Sequence, residues 1–290
     1  MWEGAGVASE GTQNAAGTRL RSWWRTGTSP WVKVALLLLV ANGVPAFFLL
    51  TFASGHTDTL FVWTVVPQAS AQMLGVMYAD ALVLSFIGLA QPNWARVRIT
   101  VVLVAYFSIA ATTVTLFHLD PFLAHPWTHL TYWLTLYAAL VIVAPIVLVA
   151  QERQHGGRLP IEVPLHALSK VIATVSVLVF GGLGSWMIVG GDAASDVWPW
   201  DLTPLVARLL GVWMTALAVT FAWALWDRDW VRTRPIFWQG IPIGVLAALV
   251  PVVHSGDVER TGLQLAAYCG LVALMTGGGL LSAATQRRSP

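Results

Sequence analysis

The chain has 290 residues, of which 57% are hydrophobic and only 10% are charged, and its formal net charge at pH 7 is +2. Because about a quarter of the residues in soluble domains are charged, this composition excludes an ordinary soluble protein and indicates a membrane protein. The basic residues stand in short loop pairs and form no continuous patch, which argues against a nucleic-acid partner.

The first 30 residues are polar, rich in small side chains, and precede the first long apolar run. We expect residues 1–30 to form a flexible cytoplasmic arm, since such a composition buries too little apolar surface to fold. Trp23 and Trp24 stand between Arg21 and Arg25, a pattern typical of an anchor at the membrane interface.

Eight apolar stretches follow, and each is long enough to cross a bilayer as a helix, which takes about 20 residues. In chain order they cover 31–53, 70–90, 97–118, 129–150, 168–190, 203–226, 236–254 and 263–284. Membrane strands close into barrels and alternate polar with apolar residues, whereas these stretches are continuously apolar. We therefore predict an all-α integral membrane protein with eight spans in a lipid bilayer.

The distribution of Lys and Arg predicts the orientation, because positive charge stays on the cytoplasmic side. The N-terminal arm, the 2–3, 4–5 and 6–7 loops and the C-terminus together hold 14 of the 16 basic residues, and the exceptions are Arg208 and Arg260. Both termini are therefore predicted to be cytoplasmic, in a protein of the bacterial inner membrane.

The chain also repeats itself. Residues 94–98 read Trp-Ala-Arg-Val-Arg and return 136 positions later, at 230–234, as Trp-Val-Arg-Thr-Arg, while Lys33 matches Lys170 at an offset of 137. We interpret the Trp-x-Arg-x-Arg motif as an anchor that contacts lipid phosphates. Since a four-span unit ends on the side where it starts, both copies are predicted to be parallel, related by a pseudo-two-fold axis along the membrane normal.

The predicted organisation has four parts. They are the arm (1–30), a first four-span unit (31–150), a cytoplasmic linker (151–167) and a second four-span unit (168–290).

The second unit carries the clearer pattern. It reads Trp198-Pro-Trp-x-Leu-Thr-Pro-Leu-x-Ala-Arg208-x-x-Gly211-x-Trp213, followed by Asp229-Trp230-x-Arg-x-Arg. This run resembles a pattern of uncharacterised bacterial multi-span membrane proteins with a duplicated four-helix unit. The resemblance implies the architecture and brings no activity with it.

Two ionisable residues stand inside predicted spans, where a charge is costly and marks a functional candidate. Asp80 lies near the centre of the second span, and Arg208 lies near the start of the sixth. The repeat keeps neither charge, since the equivalent positions are Ala216 and Gln72. Two hypotheses stay open. In the structural one, Asp80 and Arg208 form an ion pair between the units, or Arg208 reaches the outer interface. In the functional one, they contribute to a binding or proton-linked site.

Residues 42–45 (Asn-Gly-Val-Pro) in the first span and residues 181–184 (Gly-Gly-Leu-Gly) in the fifth lie at similar places in the two units, overlapping at the offset of 137. Helix interruptions in corresponding spans indicate either a transporter binding site or a kink or close helix crossing. Asn42 requires a polar partner in either case, from a neighbouring helix or from a ligand.

His118, Asp120 and His254 are predicted to form a polar cluster at the outer face, with His125 and His129 nearby. A metal site needs three or four ligands in fixed geometry, and a haem pair needs deeper, facing histidines. We expect interfacial hydrogen bonding from these residues, and we predict no cofactor.

These features leave three functional hypotheses open. The first is small-solute transport through the interface of the units, the second is binding or turnover of a lipid- or quinone-like molecule, and the third is a structural subunit or assembly factor. Phosphate-loop, zinc-protease and serine-hydrolase motifs are absent from the sequence, so an enzyme is less expected. Expected partners are a small apolar or polar ligand, another membrane protein or a second copy of the chain.

Each hypothesis predicts a different interior. An aqueous path to Asp80 would favour transport, and a lateral opening between helices would favour a lipid-like ligand. A solidly packed bundle would favour a structural subunit.

Overall fold

The computed structural model describes residues 28–155 and 157–287, and all regular structure within these ranges is helical. Most of the predicted arm, including Trp23 and Trp24, lies outside them. The long helices are α1 (Pro30–Phe52), α2 (Gln68–Ala90), α3 (Trp94–Leu116), α4 (Trp127–His155), α5 (Ala167–Gly190), α6 (Pro204–Asp227), α7 (Trp230–Val253) and α8 (Leu263–Gln286). Eight helices of the described ranges are thus long and apolar enough to cross a membrane, which confirms the prediction of an all-α protein with eight helices of membrane-spanning length.

Side-chain caps explain where several of these helices begin. The Asn93 side chain accepts a hydrogen bond from the Arg96 amide at the start of α3, and the Asp229 side chain does the same for Arg232 at the start of α7. Thr203, which the sequence indicates as a cap because Pro204 follows it, accepts a hydrogen bond from the Val206 amide. These caps satisfy amide groups that have no partner within the helix.

The helix starts in the two halves of the chain keep the spacing of the sequence matches. The starts of α1 and α5 lie 137 positions apart, and the starts of α2 and α6, of α3 and α7, and of α4 and α8 lie 136 apart. Short helices follow the same order, since Ser54–His56 comes after α1 and Gly191–Val197 comes after α5.

Helices α2, α3, α6 and α7 form the centre of the bundle. Within an apolar stretch of 18 residues, 83% of α6 is buried, 61% of α2 and of α3 and 44% of α7, whereas the share is only 22% in α1, α4 and α8. Across the middle of the molecule α3 packs on α6 and α7 packs on α2. The outer helices α1, α4, α5 and α8 flank this centre and carry exposed large apolar side chains such as Phe48, Ile142 and Leu178, as contact with lipid requires.

The predicted helix interruptions are not present. Helix α1 runs through Pro45 and α5 runs through residues 181–184 without a break. The glycine at 184 instead serves a close crossing, because a Cβ atom there would lie 2.7 Å from the Gly211 carbonyl oxygen of α6. Small residues permit such close approach of helix backbones in membranes.

We predict that Gly184→Ala lowers the free energy of unfolding by about 1–3 kcal/mol, because overpacking at a backbone contact forces the helices apart. Gly182→Ala is the matched control, since no atom lies within 4 Å of a Cβ built at this position in the same helix. Thermal unfolding in detergent, followed by helical circular dichroism, measures both. Equal stability of the two variants would contradict the close crossing.

The Trp-x-Arg-x-Arg turns lie at the end of the bundle where α3 and α7 begin, here called the basic end. Their interpretation as lipid-phosphate anchors is wrong for two of the four arginines. Arg98 is 1% exposed and Arg232 is 2% exposed, and both contact carboxylates inside the protein. Trp94 is also fully buried and donates its indole N–H to Glu152 at 2.8 Å.

Asp227, the last residue of α6, joins these two arginines. Its Oδ2 accepts a 2.6 Å hydrogen bond from Arg98 Nη2, and its Oδ1 accepts from Arg232 Nε at 2.9 Å and Nη2 at 2.6 Å. Arg98 comes from the first half of the chain and Arg232 from the second. Glu152 and Asp229 complete a group of five residues, the Asp227 cluster, in which they lie 3.8 Å from Arg98 and 3.5 Å from Arg232.

The segment that links the two halves is fastened to this cluster. The carbonyl oxygens of Gly157 and Pro160 accept hydrogen bonds from Arg98 and Arg232, and the Asp229 carboxylate accepts from the amides of Glu162 and Val163. Helix α4 also continues to His155, five positions past the predicted boundary of the first unit. The segment between α4 and α5 is therefore held by side chains from both halves.

Asp227→Asn is expected to cost about 3–5 kcal/mol of unfolding free energy, because it leaves two buried guanidinium groups without their shared carboxylate. Arg96→Gln is the control, since the Arg96–Glu162 pair at 3.4 Å is 30% and 52% exposed and should contribute less than about 1 kcal/mol. Chemical or thermal unfolding in detergent measures the difference. A small loss for Asp227→Asn would show that the cluster does not hold the halves together.

Candidate functional site

A cavity lies among the four helices of the first half, α1 to α4, and α6 closes it from the second half. Its empty space, counted together with the part that opens to the surroundings, amounts to about 890 Å³, and the centre of a water-sized sphere can occupy about 60 Å³ of the cavity. Most of its wall is aliphatic. Its aromatic wall consists of Trp63, Tyr78, Phe107, Trp133, Tyr137 and Trp213. Such a concave, mainly apolar space with few polar groups has the general character of a small-molecule site.

Asp80 supplies the carboxyl group of this cavity. It is the thirteenth of the 23 residues of α2, which places it near the middle of the span, and it is 1% exposed. Its Oδ2 accepts a 2.8 Å hydrogen bond from the Trp213 indole N–H. Its Oδ1 is buried and has no hydrogen-bond partner among the described residues. One acceptor of a mid-membrane carboxyl group is therefore unsatisfied beside an open space.

Several other polar groups of the wall have partners inside the protein. Asn42 Oδ1 accepts a hydrogen bond from the Tyr132 hydroxyl of α4, which answers the requirement for a partner at this depth. Ser108 donates to the Ala105 carbonyl. These contacts leave the carboxyl oxygen as the acceptor with most to gain from a ligand.

Arg208 does not pair with Asp80. The ion pairs formed by the described residues include neither of them, and Arg208 instead contacts the Ile188 carbonyl at 3.1 Å and His118 Nε2 at 2.5 Å. The reason is depth. Asp80 is the thirteenth residue of its helix and Arg208 only the fifth, so the rise of 1.5 Å per residue separates them by about 12 Å along parallel spans.

His118 is positioned by this contact. A guanidinium group can only donate, so His118 Nε2 accepts from Arg208, and the ring proton is assigned to Nδ1, which lies 3.2 Å from the Val114 carbonyl. The contact joins α3 to α6 and therefore crosses between the halves. Arg208 thus has a packing partner that the sequence did not indicate, because the two residues are 90 positions apart.

The other residues of the predicted outer cluster lie separately. Asp120 starts the short helix Asp120–Leu123 and is exposed, and His254 caps the end of α7. No hydrogen bond or ion pair joins His118, Asp120 and His254 in the described ranges. His125 lies 3.1 Å from the Thr64 hydroxyl, and its ring stacks on His129. Among the described residues, no three His, Cys, Asp or Glu side chains are grouped as metal ligands.

The second half fills the region that is open in the first. At the repeat offsets, Gly43 corresponds to Phe180 and Asp80 to Ala216. The Phe180 side chain is 1% exposed and packs on Phe221, beside a smaller space of about 290 Å³. The cavity and its carboxyl group therefore occur together in one half and are both missing from the other.

Sequence reasoning identified Asp80 and Asn42 but missed the walls around them. Trp213 and Tyr137 were not singled out, although they line the cavity and Trp213 is the hydrogen-bond partner of Asp80. The sequence did contain one signal for a cavity in the first half alone, because the small Gly43 corresponds to the bulky Phe180 of the second half.

Comparisons of the chain with protein-family models, with curated proteins and with solved structures find no match.

A double-mutant cycle tests the pairing of Asp80. We predict that Asp80→Leu and Trp213→Phe are coupled by about 0.5–3 kcal/mol, as expected for residues in direct contact. Asp80→Leu and Arg208→Met should add to within about 0.5 kcal/mol, because the two side chains share no partner. Unfolding free energies of the single and double variants in detergent give both values. Strong coupling of Asp80 to Arg208 would contradict the observed geometry.

Proposed function

We propose that this polytopic membrane protein binds a small apolar or amphiphilic ligand inside its first four-helix unit. The observation that carries the proposal is the partly open apolar cavity in which a buried Asp80 oxygen has no partner among the described residues. Burying a polar group without a hydrogen bond costs about 1–3 kcal/mol in proteins, and a ligand that donates to this oxygen would recover much of that cost.

The proposed architecture is a pair of parallel four-span units in a bacterial inner membrane, with both termini in the cytoplasm. It is supported by helix starts that recur at 136–137 positions and by packing of α3 on α6 that is matched by packing of α7 on α2. The orientation is supported by the charges. Arginines gather at the basic end, and the opposite end carries Asp201, Asp257 and Glu259, as the positive-inside rule predicts.

Ligand binding accounts for the cavity better than a purely structural role does. A structural bundle needs no open space, and the second half shows that the same framework closes the equivalent region with Phe180. An unsatisfied carboxyl oxygen in the middle of a span adds cost without adding stability. Both features have a use if a ligand occupies the first half.

Transport remains the second candidate because clefts occur at both ends of the bundle. One of about 420 Å³ includes Arg98 and Asp227 at the basic end, and one of about 830 Å³ includes Asp201 and Asp257 at the opposite end. Between them the contact of the two halves is packed with buried side chains such as Ile99 and Leu210. The cavity also lies within one unit, whereas transport through the interface of the units places the site between them. These observations favour binding over passage.

A filled-cavity variant tests the proposal. Gly43→Phe combined with Leu82→Ala copies Phe180 and Ala218 of the second half, and the second change removes the side chain 3.1 Å from a Cβ built at Gly43. We predict that wild-type protein retains one saturable equivalent of n-decanol in native mass spectrometry. The filled variant should lose at least about tenfold in affinity, since a tenfold change requires only 1.4 kcal/mol.

Gly182→Phe is the matched control because it adds the same side chain at an exposed helical glycine with no atom within 4 Å of its added Cβ. It should bind n-decanol as the wild type does. Circular dichroism and thermal unfolding establish that each variant is folded. A folded filled variant that binds n-decanol with wild-type affinity would refute the proposed site.

A further inference from the structure

The carboxyl group of Asp80 has no positive partner. Its one hydrogen bond comes from a neutral indole N–H, and the ion pairs of the described residues do not include it. Arg208, the other ionisable residue singled out inside a span, contacts His118 at a shallower level. The ion pairs that the structure does contain, such as those of Asp227, lie at the ends of the helices. Mid-membrane Asp80 is therefore an acidic group with no cationic counterpart within hydrogen-bonding distance among the described residues.

A ligand with a positive charge would complement this group in a way that a neutral ligand cannot. An ionised carboxylate in an apolar region is strongly disfavoured, and its cost falls when a cation with hydrogen-bond donors pairs with it. Charge-assisted hydrogen bonds are about twice as strong as neutral ones. A hydroxyl group would satisfy the Oδ1 lone pair and leave any charge on the carboxyl group unbalanced.

The aromatic wall points to the same chemistry. Trp63 and Trp133 stand nearly perpendicular with ring centroids 5.4 Å apart, and the rings of Trp133 and Tyr137 are 4.2 Å apart. All three line the cavity together with Asp80. The faces of such rings attract organic cations, and the rings also offer apolar surface to a hydrocarbon chain.

The other half of the chain provides an internal comparison. It keeps the tryptophan, since Trp63 corresponds to Trp200, but has Ala216 in place of Asp80 and Cys269 in place of Trp133. The indole N–H groups of Trp63 and Trp200 both lack a hydrogen-bond partner among the described residues. Because both halves share this feature, it does not indicate a ligand in the first half. The carboxyl group and Trp133 are specific to the half that contains the cavity, whereas Trp200 packs on Trp198 and Tyr268 in the other half.

We infer that the ligand of this cavity is an organic ammonium ion with an apolar body, bound with its N–H groups on Asp80 and its carbon chain against the aromatic and aliphatic wall. This inference rests on the proposed function and specifies the ligand class of the same site. It assigns to Asp80 a binding role and to Trp213 the role of holding the Asp80 carboxyl group in place through Oδ2, which leaves Oδ1 for the ligand.

Matched ten-carbon probes test the charge. Native mass spectrometry of the full-length protein, released from detergent micelles, compares n-decylamine, n-decanol and n-decanoate. We expect wild-type protein to bind the amine about tenfold or more tightly than the alcohol, as one charge-assisted contact and aromatic faces provide. The carboxylate should bind least well, because it brings a second negative charge to Asp80.

Asp80→Asn should abolish the preference for the amine and keep the binding of the alcohol, since the side-chain shape is retained and only the charge is lost. The Gly43→Phe, Leu82→Ala variant should lose both. Equal binding of amine and alcohol by wild-type protein would overturn the ammonium inference and leave the cavity proposal intact. Failure of wild-type protein to bind any of the three probes saturably would overturn both. Because the three probes are compared on wild-type protein, this comparison tests the inference even if Asp80→Asn does not fold.

Discussion

The shared carboxylate of Asp227 is the contact on which the arrangement of the two halves depends. It binds Arg98 from the first half and Arg232 from the second, and all three side chains are almost completely buried. Removing one of these side chains would leave an unpaired charge inside the protein. Such a charge costs far more free energy than the intact ion pair contributes to stability. Because the same arginines also hold the linker carbonyls, this one group fixes the basic end of the bundle as a unit.

The rest of the bundle is held together mainly by close packing of its helices. Helices α2, α3, α6 and α7 cross the membrane as a buried centre, and the outer helices approach them closely at glycines such as Gly184 and Gly211. In lipid, apolar side chains gain little by moving from hydrocarbon to protein, so close packing and internal polar contacts provide the stability. A region that is left unpacked, as around Asp80, is therefore costly in such a bundle and calls for a functional explanation.

The sequence predicts the helices well and the polar contacts poorly. Continuous apolar stretches specify spans because the bilayer requires complete internal hydrogen bonding of the backbone, and caps such as Thr203 are local signals. The burial of Arg98 and Arg232 could not be predicted, since their partner Asp227 is separated from Arg98 by 129 positions and a Trp-x-Arg-x-Arg turn looks the same in lipid contact as in a buried cluster. The separation of Asp80 from Arg208 was accessible from the rise per residue, whereas the contact of Arg208 with His118 required the packing of α3 on α6.

The two copies of the turn motif do not use their arginines alike. At an offset of 136, Arg96 corresponds to Arg232 and Arg98 to Arg234, yet only Arg98 and Arg232 are buried, and the position that matches Asp227 is Gln91. A dimer assembled from two first halves would set each Arg98 against an amide that cannot neutralise it. The first half therefore takes from the second half the carboxylate that lies 2.6 Å from Arg98, so the basic end of the bundle is complete only when both halves are present.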